Sequence, residues 1–501
     1  MKTKEKKVYP NDFKSLMGFT LPNLSYAFTG VVFGLFFQYI TDYSGIDEAM
    51  GVSGFAVAFG TAFLVVSRIV DAVDDPLQAW IMDRGKEKKF GKYRFFTLFS
   101  QAFMLVGITG LFFIPHFVKA NVILLWGWVL LSYIIMEVGS AFNGLMPILQ
   151  KATTDFPTRS KIMTWMRMCM IIGAVPASLA VPIATMLNAH INNMGRSVQI
   201  TVLFFMIIAV SISLLGIKLL HEPFFQKKDT KEEETALNFK DLKLMVKTNK
   251  ALWVHNFAYV IGTASFGLMS GMMIYYLKWQ YTADLSTGVV DNTKYAAIYG
   301  VSSVISLGLG FVAPILANLF VKKIGKVDRA ARLLMLTASI FYFLMFVLIR
   351  LGVLANLPIV YVVLNALAGI PISMATIPFL LLNVEVADFT EYKTGKNMTA
   401  TTTSVNKFLE KTVGALTGAA TGFVLILAGY SVNAQTGAYA GDLSKIPGMI
   451  SNFELFVTVI PAILCLCCWA IYRFMYPITP EIRAEMKKTL EEKHDVTTEN
   501  E

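Results

Sequence analysis

Charge is scarce in this chain. Of its 501 residues only 16% are Asp, Glu, Lys or Arg, against about a quarter in an ordinary soluble domain. Hydrophobic residues make up 55%, and the mean hydropathy is +0.57. This balance excludes a disordered chain and argues against a soluble enzyme, because no single core absorbs so much apolar surface. Cysteine is also sparse. Cys169, Cys465, Cys467 and Cys468 all fall inside apolar runs, so they give no disulfide framework and no polar, spaced set of zinc ligands. The five histidines are scattered and form no ligand pair. No HExxH or nucleophile–base set stands at membrane depth, so no enzyme and no cofactor is expected.

What is abundant is Phe (38), Gly (35) and Met (25), a mixture that suits helices packed in lipid. The formal charge of +10 could point to nucleic acid. The basic residues, however, sit in short clusters between long apolar runs, which is a mark of membrane topology and gives no nucleic-acid partner. The opening MKTKEKKVYPNDFK is basic, but the apolar stretch after it is too long for a signal-peptide core and lacks a cleavage site, so it reads as a retained first span.

A helix needs about 20 apolar residues to cross the hydrocarbon. That ruler yields twelve segments, near 16–41, 50–82, 95–115, 122–149, 162–188, 198–220, 251–280, 295–321, 331–351, 357–387, 398–429 and 452–476. The predicted fold is therefore an all-α membrane protein of twelve transmembrane helices in two pseudo-symmetric six-helix halves. Residues 1–220 form the first half, 221–250 a linker with a short amphipathic helix near 237–247, 251–477 the second half and 478–501 a tail. The N-terminal tail (Lys2, Lys4, Lys6, Lys7, Lys14), the loop after span two (Arg84 to Arg94) and the loop after span eight (Lys322 to Arg332) are rich in basic residues. The loop at 42–50 has none. By the positive-inside rule both termini face the cytoplasm of a multi-pass plasma-membrane protein. Basic, Gly-bearing turns follow span two (Phe90-Gly91-Lys92) and span eight (Ile324-Gly325-Lys326), the echo expected of a duplicated transporter.

A charge at the centre of a membrane helix costs about 2.5–3.5 kcal/mol on insertion scales, so each asks for a partner, a cavity or a task. Span two holds Arg68, Asp71, Asp74 and Asp75. Their spacing puts Arg68, Asp71 and Asp75 along one face with Asp74 beside them. Carboxylates crowded in low dielectric cannot all ionise without a cation, so a proton or a metal ion such as Na⁺ at Asp71 and Asp75 would neutralise them. The alternative is a static charge network with Arg68. Span eleven offers Lys407 and Lys411 on a face that continues into Gly414, Gly418 and Gly422. Lys411 could couple to the span-two carboxylates and Lys407 could face the solute, or both could snorkel. Arg167, with its fixed fork of donors, suits vicinal hydroxyls or a carboxylate, and Trp165 suits stacking on a sugar ring or an interfacial position. Asn143 and Asn23 serve as ligand contacts or as interhelical hydrogen bonds. Glu385, Asp388 and Glu391, at the end of span ten, read as salt-bridge partners that latch one conformation.

The run Asp71-Ala72-Val73-Asp74-Asp75-Pro76, continuing to Gly91-Lys92-Tyr93-Arg94, resembles the span-two signature of the glycoside–pentoside–hexuronide:cation symporters of the major facilitator fold. Ala387-Asp388-Phe389-Thr390-Glu391-Tyr392-Lys393, followed eighteen residues later by Lys411, is a second match, and Thr41-Asp42 closing span one is a third. The resemblance implies import of a sugar or glycoside by symport with a cation. It gives Asp71 and Asp75 the cation-binding role, Lys411 the span-eleven lysine near that site, and Arg167 the sugar-site arginine. The sequence also departs from the family's melibiose permease. Tyr26 stands where span one has an acidic sugar ligand, Gly139 and Asn143 replace a span-four Asp and Trp, Asp74 replaces an Asn beside the cation, and Met136 replaces a Thr ligand. These departures tilt the ion toward H⁺ rather than Na⁺. They leave a hexuronide or glucuronide substrate, or a non-sugar solute, as alternatives to a neutral sugar. Function as a monomer within the lipid bilayer is expected.

Overall fold

The computed structural model describes residues 13–84, 90–152, 156–222, 249–394, 399–434, 437–486 and 488–489, with the backbone alone for some helical positions among them. The N-terminal tail, the linker helix near 237–247 and most of the basic loop after span two lie outside the described residues. Every one of the twelve apolar segments is helical. In chain order the spans are one (Phe13–Asp42), two (Phe55–Arg84), three (Lys92–Phe112), four (Val122–Leu149), five (broken within 156–191), six (Met194–Leu219), seven (Lys250–Tyr281), eight (Asn292–Ile324), nine (Val327–Arg350), ten (Pro358–Thr394), eleven (Thr399–Leu427) and twelve (Leu443–Phe474). Among the described residues nine of these are long and apolar enough to cross a bilayer, and span eight adds a bent pair with an angle of 43°. Within spans two and eleven the described residues include the shorter apolar stretches Phe55–Arg68 and Thr412–Leu427. The chain is a multi-pass membrane protein.

Helix starts follow from side chains that take up orphan backbone donors. Asn121 accepts from Ile123 N (3.0 Å) and Leu124 N (3.2 Å) ahead of span four. Asn193 accepts from Arg196 N (2.9 Å) ahead of span six. Asn249 accepts from Leu252 N (2.9 Å) ahead of span seven, while its amide donates to Thr390 Oγ1 (2.6 Å) and Val386 O (3.1 Å) and so ties that start to span ten. Span four differs from the unbroken segment expected. It runs as Val122–Ala141, stops, and resumes as Leu145–Ala152. Gly144 N turns aside to Thr97 Oγ1 on span three (3.0 Å), and Asn143 Oδ1 accepts from Leu145 N (3.1 Å) to start the second piece.

The chain forms two compact units. One comprises Met1–Lys228 with Leu277–Leu307 and Gly422–Met449; the other comprises Asp229–Tyr276, Gly308–Thr421 and Ile450–Glu501. In the first unit the basic turn after span two has a specific structural task. Gly91 has φ +96°, and a Cβ there would lie 2.5 Å from Glu222 Oε2. Glu222 in turn accepts from Arg94 N (2.8 Å) at the start of span three. The Arg94 guanidinium donates to Ile217 O (2.9 Å) and Lys218 O (3.0 Å), carbonyls in the last turn of span six, where a cation also complements the negative end of the helix dipole. An antiparallel hairpin, β1 (Ala283–Asp284) with β2 (Val289–Val290), links spans seven and eight, with Ala283 opposite Val290. In the second unit, Gly267 and Gly271 of span seven leave room for Thr417 and Thr421 of span eleven, whose Oγ1 atoms lie 2.9 and 2.7 Å from where a Cβ would stand.

Spans three and four approach more closely than any side chain allows. A Cβ on Gly107 would meet Met136 Cα at 2.6 Å, and one on Gly139 would meet Met104 N at 2.7 Å. Backbone cannot yield as a flexible side chain does, so Gly107→Val forces the pair apart. Overpacking of this kind costs about 1–3 kcal/mol. The variant is expected to lose about 5 °C of thermal midpoint in detergent relative to the native protein, measured by tryptophan fluorescence. An unchanged midpoint would contradict the close approach.

Candidate functional site

In the first unit the span-two charges begin with Asp71, which is 2% exposed. Arg68 Nη1 donates to its Oδ2 at 3.0 Å, one turn back on the same helix. Tyr133 of span four donates its hydroxyl to Oδ1. Tyr133 is itself buried, and the rings of Phe33 and Phe63 stand 5.2 and 5.4 Å from it, centroid to centroid. Both oxygens of the carboxylate therefore already accept a bond, beside a group of aromatic rings. This is the charge network with Arg68 that the spacing allows. The side chains of Asp74, Asp75, Lys407 and Lys411 lie outside those described, although all four positions are helical.

The predicted solute contacts of the first unit divide between buried and exposed positions. Tyr26 is half-buried against a cluster containing Phe19, Leu145, Ile162 and Met166, and its hydroxyl bonds Ser100 Oγ of span three at 2.5 Å. Asn23 turns its amide back to Phe19 O (2.8 Å) and Thr20 O (3.4 Å), a local bond in its own helix. Asn143 is occupied as the start signal of the second piece of span four. Arg167 and Trp165 flank the buried Met166 on span five, and both are exposed. The helix thus buries its Ile162–Met166 stripe on span one and turns the guanidinium and the indole away from that seam.

In the second unit Glu385 receives a partner that was not named from the sequence. Arg483, in the segment after span twelve, donates Nη2 to Glu385 Oε2 (3.1 Å) and also bonds Oε1 through Nε; Tyr476 adds its hydroxyl at 3.0 Å. The same guanidinium reaches Asp328 Oδ1 (3.4 Å), and Arg332 holds the other oxygen of Asp328 at 2.9 Å. The two carboxylates hold the Arg483 guanidinium above its ordinary range, chiefly through the Glu385 hydrogen bonds. At 37 residues, span ten is about 55 Å long against a hydrocarbon core of about 30 Å. The helix is therefore longer than the hydrocarbon core, and the charges stand on its last three turns. Asp388 is half-buried and Glu391 buried on that same end. Deeper in the unit His255 of span seven pairs with Tyr472 OH (2.7 Å) and Asn383 Oδ1 (2.5 Å), a buried polar knot that no spacing in the sequence announces.

A model of the MFS/sugar transport protein family matches residues 18–480. The chain belongs to that family. As a member it is a transporter and not an enzyme, and the motif resemblance to glycoside–pentoside–hexuronide:cation symporters is borne out. Over 466 residues it is 24% identical to the symporter YjmB of Bacillus subtilis, covering 91% of this chain and 90% of that one. It is likewise 24% identical over 487 residues to a raffinose carrier protein of Pediococcus pentosaceus, covering 94% of this chain and 71% of the carrier. Among solved structures it is similar to the nucleoside transporter NupG, with a TM-score of 0.57 at 15% identity, covering 92% of this chain and 100% of that one. At that identity the likeness shows the fold alone.

Arg483 carries a prediction of its own. Arg483→Ala leaves Glu385 and Asp328 without their shared cation, in a half-buried setting where such pairs are worth more than exposed ones. The variant is expected to melt about 3 °C below the native protein. Lowering the salt concentration is expected to widen that gap, read from melting curves at two ionic strengths.

Proposed function

We propose that this family member imports a neutral sugar or glycoside by symport with H⁺, through alternating access between its two six-helix halves. Both termini are cytoplasmic, and the protein works as a monomer. The observation that carries the reading is the buried Asp71 carboxylate, held by Arg68 and Tyr133 on span two. A proton needs only one oxygen of such a carboxylate, whereas Na⁺ asks for a shell of several oxygens. With Arg68 and Tyr133 on its two oxygens, Asp71 has little left to offer a Na⁺ shell, which is the ground for naming the proton. Protonation cancels the charge that binds Arg68, so the load on the site is transmitted directly to a basic side chain one turn away. In the sequence Asp74 and Asp75 follow Asp71 at helical spacing, and the family resemblance gives Lys411 of span eleven the role of the coupling lysine. Similarity to a raffinose carrier protein supports an uncharged oligosaccharide as the solute. The exposed Arg167 favours a second reading, in which the sugar carries a carboxylate, as a hexuronide does.

Coupling requires that the empty and doubly loaded carriers isomerise while half-loaded forms do not. Purified protein in proteoliposomes, offered neutral oligosaccharides and glucuronides under an imposed pH or sodium gradient, separates the readings. Uphill accumulation of a neutral oligosaccharide is expected with the pH gradient and not with sodium. Asp71→Asn and Asp75→Asn are expected to abolish accumulation while solute still equilibrates down its own gradient. Accumulation that persists in both variants would discard the acidic face as the coupling site. Preference for a glucuronide, lost in Arg167→Gln, would select the second reading.

A further inference from the structure

Between spans nine and twelve, in the second unit, lies a groove of about 570 Å³. Its floor is Ser339 and Ala462, 8% and 5% exposed, where Ser339 Oγ donates to Ala462 O at 2.8 Å. Ile340, Phe343 and Val347 of span nine and Ile463 of span twelve stand in its walls. The opening has a local cause. Span twelve runs as Ile446–Val457 and again as Val459–Phe474, with Thr458 between them at φ −129° and ψ −70°. Pro461 has no N–H to give the carbonyl of Val457, so the helix breaks there. Ala462, at the restart, leaves space that a larger side chain would fill. The lining is apolar apart from Ser339, whose hydroxyl is engaged with Ala462 O, so the groove suits hydrocarbon and not a sugar.

Its length points to the occupant. From Leu336 to Val347 the groove follows span nine for about 16 Å at about 1.5 Å per residue. Half of a hydrocarbon core of about 30 Å is about 15 Å, so the groove is as deep as one leaflet. Within one turn beyond Val347 stands Arg350, the last residue of span nine, with its side chain 50% exposed. Its Nε lies 3.0 Å from Glu454 Oε1, and its Nη2 donates to Ser451 Oγ at 3.2 Å. Both partners belong to span twelve, so the guanidinium is fixed across the end of the groove. Its other face lies 5.3 Å from the centre of the Phe346 ring. These contacts leave the Nη1 donors for a ligand. The Glu454 side chain is only 8% exposed, so a group arriving from the lipid meets the guanidinium and not the carboxylate.

We propose that this groove binds one anionic phospholipid, with its phosphate on Arg350 and one acyl chain lying between spans nine and twelve. A planar fork of donors held at headgroup level suits a phosphate, and an apolar slot one leaflet deep suits the chain below it. The chain completes packing that the break at Thr458 leaves open. An anionic headgroup such as phosphatidylglycerol is attracted to the exposed guanidinium, whereas a choline headgroup brings a second cation beside it. The matched depth and the cation at its end favour lipid over a second copy of this chain, which calls for neither. The inference is independent of the transport reading.

Purified full-length protein in detergent is titrated with phosphatidylglycerol, with phosphatidylcholine of the same chains and with the corresponding diacylglycerol. Retained lipid is counted by native mass spectrometry. The native protein is expected to hold one phosphatidylglycerol about tenfold more tightly than phosphatidylcholine, and diacylglycerol more weakly than either. Arg350→Gln is expected to remove the preference for phosphatidylglycerol. Because that change strands the Glu454 carboxylate, Arg350→Gln is also combined with Glu454→Gln, which strands no charge and is expected to show the same loss. Ile463→Trp, which fills the groove, is expected to weaken all three lipids by about tenfold. Equal retention of the two phospholipids by the native protein overturns the site. So does phosphatidylglycerol binding at native strength in the double variant or in Ile463→Trp. A dimer that forms without lipid and is lost in Ile463→Trp assigns the groove to a second copy and likewise overturns the proposal.

Discussion

The interior of a bilayer offers a charge no water, so every ionised group within the spans must find its compensation in the protein itself. The described side chains obey this rule in two ways. Asp71 is answered within one turn of its own helix by Arg68, with Tyr133 closing the remaining oxygen from span four. Asp42 is answered by Lys278, 236 residues further along the chain. The first pairing is mostly local, because Arg68 stands on the same helix as Asp71. The second exists only while chain-distant ends are in contact.

Close backbone contact is the other half of the design. Span three meets span four at Gly107 and Gly139, and span seven meets span eleven at Gly267 and Gly271. Between lipid-embedded helices there is little hydrophobic drive to associate, so van der Waals contact at small residues does the holding. The turn motif after span two belongs to the same scheme. Gly91 makes room for Glu222, and Arg94 satisfies the end of span six, so the basic character of this turn serves the packing of three helix ends as well as topology. The motif carries both tasks with the same few residues.

The charged end of span ten shows how an apolar ruler and an ionic network meet. Thirty-seven residues of helix exceed the hydrocarbon thickness, and on the last three turns Glu385 collects Arg483 and, through it, Asp328 of span nine. There the pairs are half-buried and open to salt, unlike the sealed pair at Asp42. The same residue types thus serve as clasps of different strength according to how much water they keep.

The sequence by itself determined the helical class, the number and place of the apolar segments, the family, and the candidate acidic face on span two, because each depends on local composition or on residues a few positions apart. It also marked Asp42 as a motif, and the rule that a lone charge in an apolar run needs a partner would have picked out Lys278. What it could not supply was the pairing. Tyr133 on Asp71, Lys278 and Tyr430 on Asp42, Arg483 on Glu385, and the knot at His255 are contacts between residues tens to hundreds of positions apart, with no periodicity to link them. Nor did it show that the turn at Phe142–Gly144 breaks span four, which depends on Thr97 of span three drawing away a backbone donor. Only the tertiary structure decided these, since the energy of a buried charge is set by what lies within a few ångströms of it and not by its neighbours along the chain.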